Sequence, residues 1–267
     1  MAGKNLVMAK RKSSRGTRHS PVLRQAYEFM RRQFGHQHWW PGETPFEVCV
    51  GAILTQNTNW GNVERAIANL KSANVLEPAQ LYALAEPELA RLIRPAGYFN
   101  VKARRLRSFL KVLVEDFGGN LSKLFAGGTT VVRERLLAIK GIGPETADSM
   151  LLYAGGHWSF VVDAYTRRIF QRHGWGVAGP KRGVGSKFGS AVAEDLSYDA
   201  LKSLCEAALD HQPAARRLDY WQDYHAQLVR VGKHFCRPRE PRCESCPLQP
   251  LLTAAIRVGS ASTLSAR

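Results

Sequence analysis

Two groups of residues in this 267-residue chain have the types and spacing to do chemistry. The first is a tight turn, Gly141-Ile142-Gly143, with an isolated aspartate, Asp163, about twenty residues further on. The glycines reach backbone conformations closed to other residues, and Pro144 suits the first turn of a following helix. Exposed amides at such a turn, with a helix N-terminus behind them, make a cradle for phosphate. Asp163 opens another helical segment. A carboxylate there either caps the helix or stabilises positive charge developing on a substrate. The second group is Cys236-x6-Cys243-x2-Cys246, three thiols close enough in sequence to share a metal.

Bulk composition narrows the partners. The apolar fraction is 45% and the charged fraction 22%, as in ordinary globular proteins. Thirty-eight basic residues against twenty-two acidic ones give a net charge of +16, which favours a polyanion such as nucleic acid. Residues 1–20 carry Lys4, Lys10, Arg11, Lys12, Arg15 and Arg18 with no acid, and the rest of the chain is basic as well. That segment lacks apolar periodicity and the apolar core of a secretory signal, so a disordered basic tail is expected. No apolar run reaches membrane-spanning length. Five cysteines, three of them clustered, fit a reducing cytoplasm and a metal site better than a disulfide framework.

Helices must position these groups. Apolar residues recur at helical spacing over Pro21–Phe34, Val63–Leu70, Leu81–Ile93, Val101–Phe117, Asp199–Leu209 and Leu218–Phe235. Thr44-Pro45 starts a nearly all-apolar helix that ends in the polar loop Thr55-Gln56-Asn57-Thr58-Asn59, followed by Trp60-Gly61. Trp39-Trp40-Pro41 precedes it, and at least one of these tryptophans is a candidate exposed aromatic. The 174–190 segment is Gly-rich and basic and reads as a loop. The predicted class is all-α.

Helix, Gly-apolar-Gly, helix and a small Ala147 together form a helix-hairpin-helix motif, a sequence-independent grip on the DNA backbone. With Pro45-Phe46-Glu47, the Gln56 loop, Val162-Asp163 and the cysteine cluster in order, residues 37–252 resemble the endonuclease III superfamily of DNA glycosylases. Trp39-Trp40-Pro41, Leu54 to Thr58, Arg94 to Tyr98 and Gly141 to Asp148 are similar to its 3-methyladenine DNA glycosylase subgroup.

The resemblance implies a catalytic Asp163 beside an oxocarbenium-like transition state, acting on a base flipped from damaged duplex DNA. It gives Gln56 the gap left in the duplex, and Gly141, Ile142, Gly143 and Thr146 the backbone contacts. Bifunctional relatives carry a Schiff-base lysine where this chain has Glu145, and a carboxylate forms no imine. A monofunctional enzyme is therefore expected. Trp39, Trp40, Pro41 and Trp60 suit a cationic alkylated purine, which an indole face attracts by about 0.5–2 kcal/mol. Ala164 departs from relatives with a lysine after the aspartate, which leaves the substrate range open.

The resemblance also implies a 4Fe-4S loop, of which Cys236, Cys243 and Cys246 match three ligands. The fourth falls at Leu252. Three outcomes stand: a cluster with an outside fourth ligand, zinc with His234 as fourth ligand, or no metal. Cys49 and Cys205 read as core thiols.

The implied architecture is a six-helix barrel over residues 37–157 carrying the hairpin. Residues 21–36 and 158–257 form a second helical domain with the cysteine loop, and 258–267 a disordered end. The expected protein is a cytoplasmic monomer, nucleoid-associated if bacterial. Two rival readings remain: a non-catalytic helix-hairpin-helix DNA-binding protein, and a glycosylase for oxidised or deaminated pyrimidines.

Overall fold

The computed structural model describes residues 15–39, 42–175 and 197–252, the first six of these as backbone only. The regular secondary structure of the described residues is all helical, and they contain no strand. In order they are α1 (Arg15–Phe34), α2 (Pro45–Leu54), α3 (Trp60–Ser72), α4 (Pro78–Ala83), α5 (Glu86–Leu92), α6 (Phe99–Lys111), α7 (Leu121–Leu124), α8 (Thr129–Leu137), α9 (Pro144–Tyr153), α10 (Ala164–His173), α11 (Tyr198–Leu209) and α12 (Ala214–His234). None is long and apolar enough to cross a membrane.

Local chemistry sets many of the boundaries. The Thr44 hydroxyl accepts from the Glu47 amide at 3.1 Å and Pro45 fills the first position of α2. Asn59, Asn120 and Ser197 cap α3, α7 and α11 in the same way. Three sequence expectations are corrected. The helix expected from Pro21 begins at Arg15, so the last six residues of the predicted disordered tail are helical. Leu81–Ile93 is two helices, because Leu84 and Ala85 are extended and Pro87 starts a new first turn. The helix expected to run to Phe117 leaves α-geometry after Lys111 and finishes as a π-turn over Val112–Asp116.

Buried apolar side chains fall into two clusters. One gathers α2, α3, α5, α6, α8 and most of α9, around Ile53, Leu70, Phe109 and Leu136. The other gathers α1, α10, α11 and α12, around Met30, Phe160, Phe170 and Tyr224. Helix α9 serves both, since Leu151 belongs to the first cluster and Leu152 to the second. The hairpin helix is thus the seam on which the two cores meet. Each such side chain, fully buried, contributes about 1.5–3 kcal/mol.

A buried polar network locks that seam. Asp148 of α9 is wholly inaccessible. It takes a two-pronged contact from Arg133 of α8, at 2.9 and 3.2 Å, and the Ser159 hydroxyl at 2.6 Å. Lys202 of α11 lies 3.9 Å from Asp148 and pairs with Glu206, which accepts the Phe160 amide at 3.0 Å. The strand-like run that leads into Asp163 is therefore held at Ser159 and Phe160 before its buried Val161 and Val162.

Candidate active site and metal pocket

The hairpin forms as its residues require. Gly141 has φ +95°, and a Cβ there would lie 2.4 Å from Arg105 Cγ, so both conformation and space demand glycine. Ile142 is buried, and its amide bonds the Ile139 carbonyl at 3.0 Å, closing the turn. Gly143 then stands at the N-cap of α9 with Pro144 in the first position.

Gln56 is tethered to this hairpin. Its side-chain amide donates to the Gly141 carbonyl at 3.2 Å and to the Thr146 hydroxyl at 2.9 Å, and its carbonyl accepts from Arg105. Three sequence candidates, Gln56, Gly141 and Thr146, are thereby brought together. Arg105 is one of several basic residues on α6, and nothing local in the sequence distinguishes it from the others. Lys102, one turn earlier and buried, donates to the Leu54 and Ala96 carbonyls at 2.8 and 2.7 Å. It pins the end of α2 that carries the Gln56 loop.

Asp163 is a helix cap in the structure. Its Oδ1 accepts the Thr166 amide at 2.7 Å. Oδ2 is left facing His225 Nε2 of α12, at an ion-pair distance of 3.7 Å. Burial alone would raise the Asp163 carboxyl, but His225 and the Thr166 amide outweigh it and hold it below the usual carboxylate range. A buried carboxylate that stays ionised is what stabilising a sugar cation needs. Capping and charge presentation use different oxygens, so the two roles are compatible.

His225 escaped the sequence reading because its partner lies on a helix more than sixty residues away in the chain. It is buried, and its Nδ1 is hydrogen-bonded with the Tyr153 hydroxyl at 2.6 Å. The Trp39 ring lies 6.4 Å from it, tilted by 23°. Trp39 is set there by α12: Asp223 accepts the Gln37 amide at 2.7 Å, and Gln227 donates to the Gly35 carbonyl at 2.6 Å. Trp60, at the first position of α3, packs on the other core. Trp40, Pro41 and nearly all of the 174–190 loop lie outside the described residues.

Glu145 lies in the first turn of α9 and its side chain is exposed at the surface. Desolvation, with repulsion from Asp163 added, pushes it up to about 7. The position thus holds a carboxyl that shares a proton near neutrality.

The cysteine loop closes the second core. Cys236, Cys243, Cys246 and Leu252 all line one small pocket with Arg172, His173 and Gln249. Arg172 donates to Cys236 Sγ at 3.0 Å. The three thiols predicted as ligands are therefore gathered, and the position of the missing cysteine faces the same space. His234 does not join them: it ends α12 as an exposed side chain outside the pocket lining. Among the described residues no three His, Cys, Asp or Glu side chains are drawn together as ligands of a single ion. The zinc arrangement through His234 accordingly lacks its geometry. Cys49 and Cys205 are buried in the first and second cores.

Comparison with known proteins agrees with this geometry. Residues 50–188 match the HhH-GPD superfamily of base excision DNA repair proteins. The protein named "Putative DNA repair glycosylase MJ1434" from Methanocaldococcus jannaschii is 42% identical over 229 residues, covering 85% of this chain and 94% of that one. A non-covalent endonuclease III–DNA complex superposes with a TM-score of 0.69 at 20% identity, covering 90% of this chain and 98% of the other, which bears on the fold alone. The H. pylori 3-methyladenine DNA glycosylase bound to 1,N6-ethenoadenine superposes at 0.63 with 26% identity, covering 80% and 96%. The chain belongs to the HhH-GPD superfamily of base excision DNA repair proteins.

Proposed function

We propose that this DNA glycosylase hydrolyses the N-glycosidic bond of an alkylated purine in duplex DNA and leaves the strand uncut. The observation that carries the reading is Asp163. It is a buried carboxylate held below the usual carboxylate range by His225, which faces Oδ2, and by the Thr166 amide on Oδ1. Positive charge that builds on the deoxyribose as the base departs is met by that oxygen, which needs no reorganisation to do so. A base reaches the site only out of the stack, so the duplex must be held while it flips. The turn at Gly141 to Gly143 and the N-terminus of α9 supply that hold, and Gln56 beside them fills the vacated position when its ties to the hairpin open.

The substrate class rests on charge. A purine alkylated at a ring nitrogen is cationic and already a good leaving group, so no strong acid catalyst is required. Trp39, held against His225, offers it an indole face. The H. pylori structure supports the same class. Glu145 supports a single reaction, since a carboxyl cannot form the imine on which strand cleavage depends.

We also infer that the C-terminal loop carries a 4Fe-4S cluster on Cys236, Cys243 and Cys246. The shared pocket and the Arg172 contact to Cys236 support it. When bound, the cluster braces the loop, whose Arg239 and Arg242 are exposed toward a polyanion.

Single-turnover release of base from duplexes carrying one defined lesion each tests the reading. Asp163→Asn should cost about 10²–10³ in rate on alkylated purines. Undiminished release by that variant would sink the role of Asp163. Release confined to oxidised or deaminated pyrimidines would move the enzyme to another substrate class, and tight duplex binding without release from any lesion would leave a DNA-binding protein.

A further inference from the structure

The metal pocket lacks a fourth cysteine but holds another donor. His173, the last residue of α10, lines it with the three thiols. The side chain is 5% exposed, and its Nδ1 is buried without a hydrogen-bond partner. Leaving such an atom unpaired is destabilising, so an orphan of this kind in a folded core calls for a ligand.

The rest of the ring is fixed. Trp175 packs against it with centroids 4.4 Å apart. The Leu251 backbone carbonyl accepts its other ring hydrogen bond. With Nδ1 unpartnered, that donor is Nε2–H, so Nδ1 carries the lone pair. An imidazole whose far nitrogen donates to a backbone carbonyl is the usual arrangement of a metal-bound histidine. Leu251 is the neighbour of Leu252, so the end of the cysteine loop orients the imidazole that faces the same pocket.

We propose that His173 Nδ1 is the fourth ligand of the iron–sulfur cluster whose other ligands are Cys236, Cys243 and Cys246. The proposal rests on the cluster reading above and names the ligand that reading leaves open. A cluster suits the pocket better than one ion: each of its irons takes a single protein ligand, whereas a lone ion needs its donors drawn together, and they are not. One neutral imidazole in place of a thiolate removes a negative charge and sets the reduction potential above that of an all-cysteine site.

The test uses the full chain purified without oxygen, measuring iron and sulfide content, visible absorption and pulsed EPR of the paramagnetic cluster. In the unaltered protein a histidine nitrogen should couple to the cluster spin, and the coupling should change on nitrogen-15 histidine labelling. His173→Cys should keep iron and sulfide, lose that coupling and show a lower reduction potential. His173→Ala should lose most of its iron while its far-UV CD stays helical. Iron and sulfide present without histidine coupling, or a potential unmoved in His173→Cys, would overturn the role of His173 and leave the cluster reading intact. Protein that holds zinc, or neither iron nor sulfide, would remove the cluster reading and this proposal with it.

Discussion

His225 Nε2 lies 3.7 Å from Asp163 Oδ2, while its other ring nitrogen is hydrogen-bonded with the Tyr153 hydroxyl at 2.6 Å. An imidazole on α12 thus sets the charge state of a carboxylate at the start of α10. Replacing His225 with phenylalanine leaves burial to dominate at Asp163, and the carboxyl must rise. The acid limb of the base-release profile should move to higher pH, with about tenfold lost in rate per unit of displacement at any pH below it. An acid limb that stays in place would show that the titrating group is not Asp163.

Glu145 gives a dependence of the opposite kind. Its carboxyl is raised from an ordinary 4.5 to about 7. Between those values the folded protein keeps a proton that the unfolded chain has released, so its contribution to stability falls as pH climbs through the window. Glu145→Gln should match the parent protein below pH 4.5, gain on it up to pH 7 and stay ahead above that. Urea midpoints of the two proteins across the range decide it, and parallel curves would mean the carboxyl is not raised.

The same position governs strand cleavage. The unaltered enzyme should yield no covalent adduct with abasic DNA under borohydride, whereas Glu145→Lys should trap one, because its amine would stand beside Asp163. Trapping by the unaltered enzyme at a comparable level would end the single-reaction reading.

The two hairpin glycines should separate under mutation. Gly141→Ala meets both a φ of +95° and the Arg105 side chain, and should cost about 1–3 kcal/mol of stability. Gly143 has φ −92°, with no atom within 4 Å of an added Cβ. Gly143→Ala should stay within about 0.5 kcal/mol of the parent protein yet bind duplex DNA more weakly, since the new methyl sits between amide and phosphate. Thermal melts and a duplex titration at fixed salt test the pair. Unchanged affinity in Gly143→Ala would place the DNA backbone elsewhere.

Asp148 holds the two cores together through Arg133, Ser159 and Lys202. Asp148→Ala strands buried donors and should destabilise by about 3–5 kcal/mol in urea unfolding. A smaller loss would mean that the seam depends on apolar packing alone.

Much of this was legible in the sequence, for local reasons. Gly141-Ile142-Gly143-Pro144 dictates its own turn, Thr44-Pro45 its own helix start, and Cys236 to Cys246 its own loop. Asp163 was readable as a cap or a catalyst, and in the structure it caps α10 through Oδ1 while Oδ2 faces His225. The break at Leu84-Ala85 was masked because apolar spacing runs through it, leaving Pro87 as its only mark. His225, Arg105 and His173 were invisible for another reason. Each acts across a packing contact between helices distant in sequence, and nothing beside them in the chain announces the partner. His234 shows the limit: its nearness to the cysteines in sequence suggested a zinc ligand, yet it is exposed and outside the pocket that the three thiols line.

Helix α10 runs from the cap Asp163 to His173, ten residues and about 15 Å. One residue inserted or deleted within it would turn the two ends by roughly 100° relative to each other, and loops cannot absorb that rotation because both ends are buried. Helix α10 is therefore a spacer of fixed count. Varying its length would disengage Asp163 from His225 or His173 from the cysteine pocket, even with every side chain preserved.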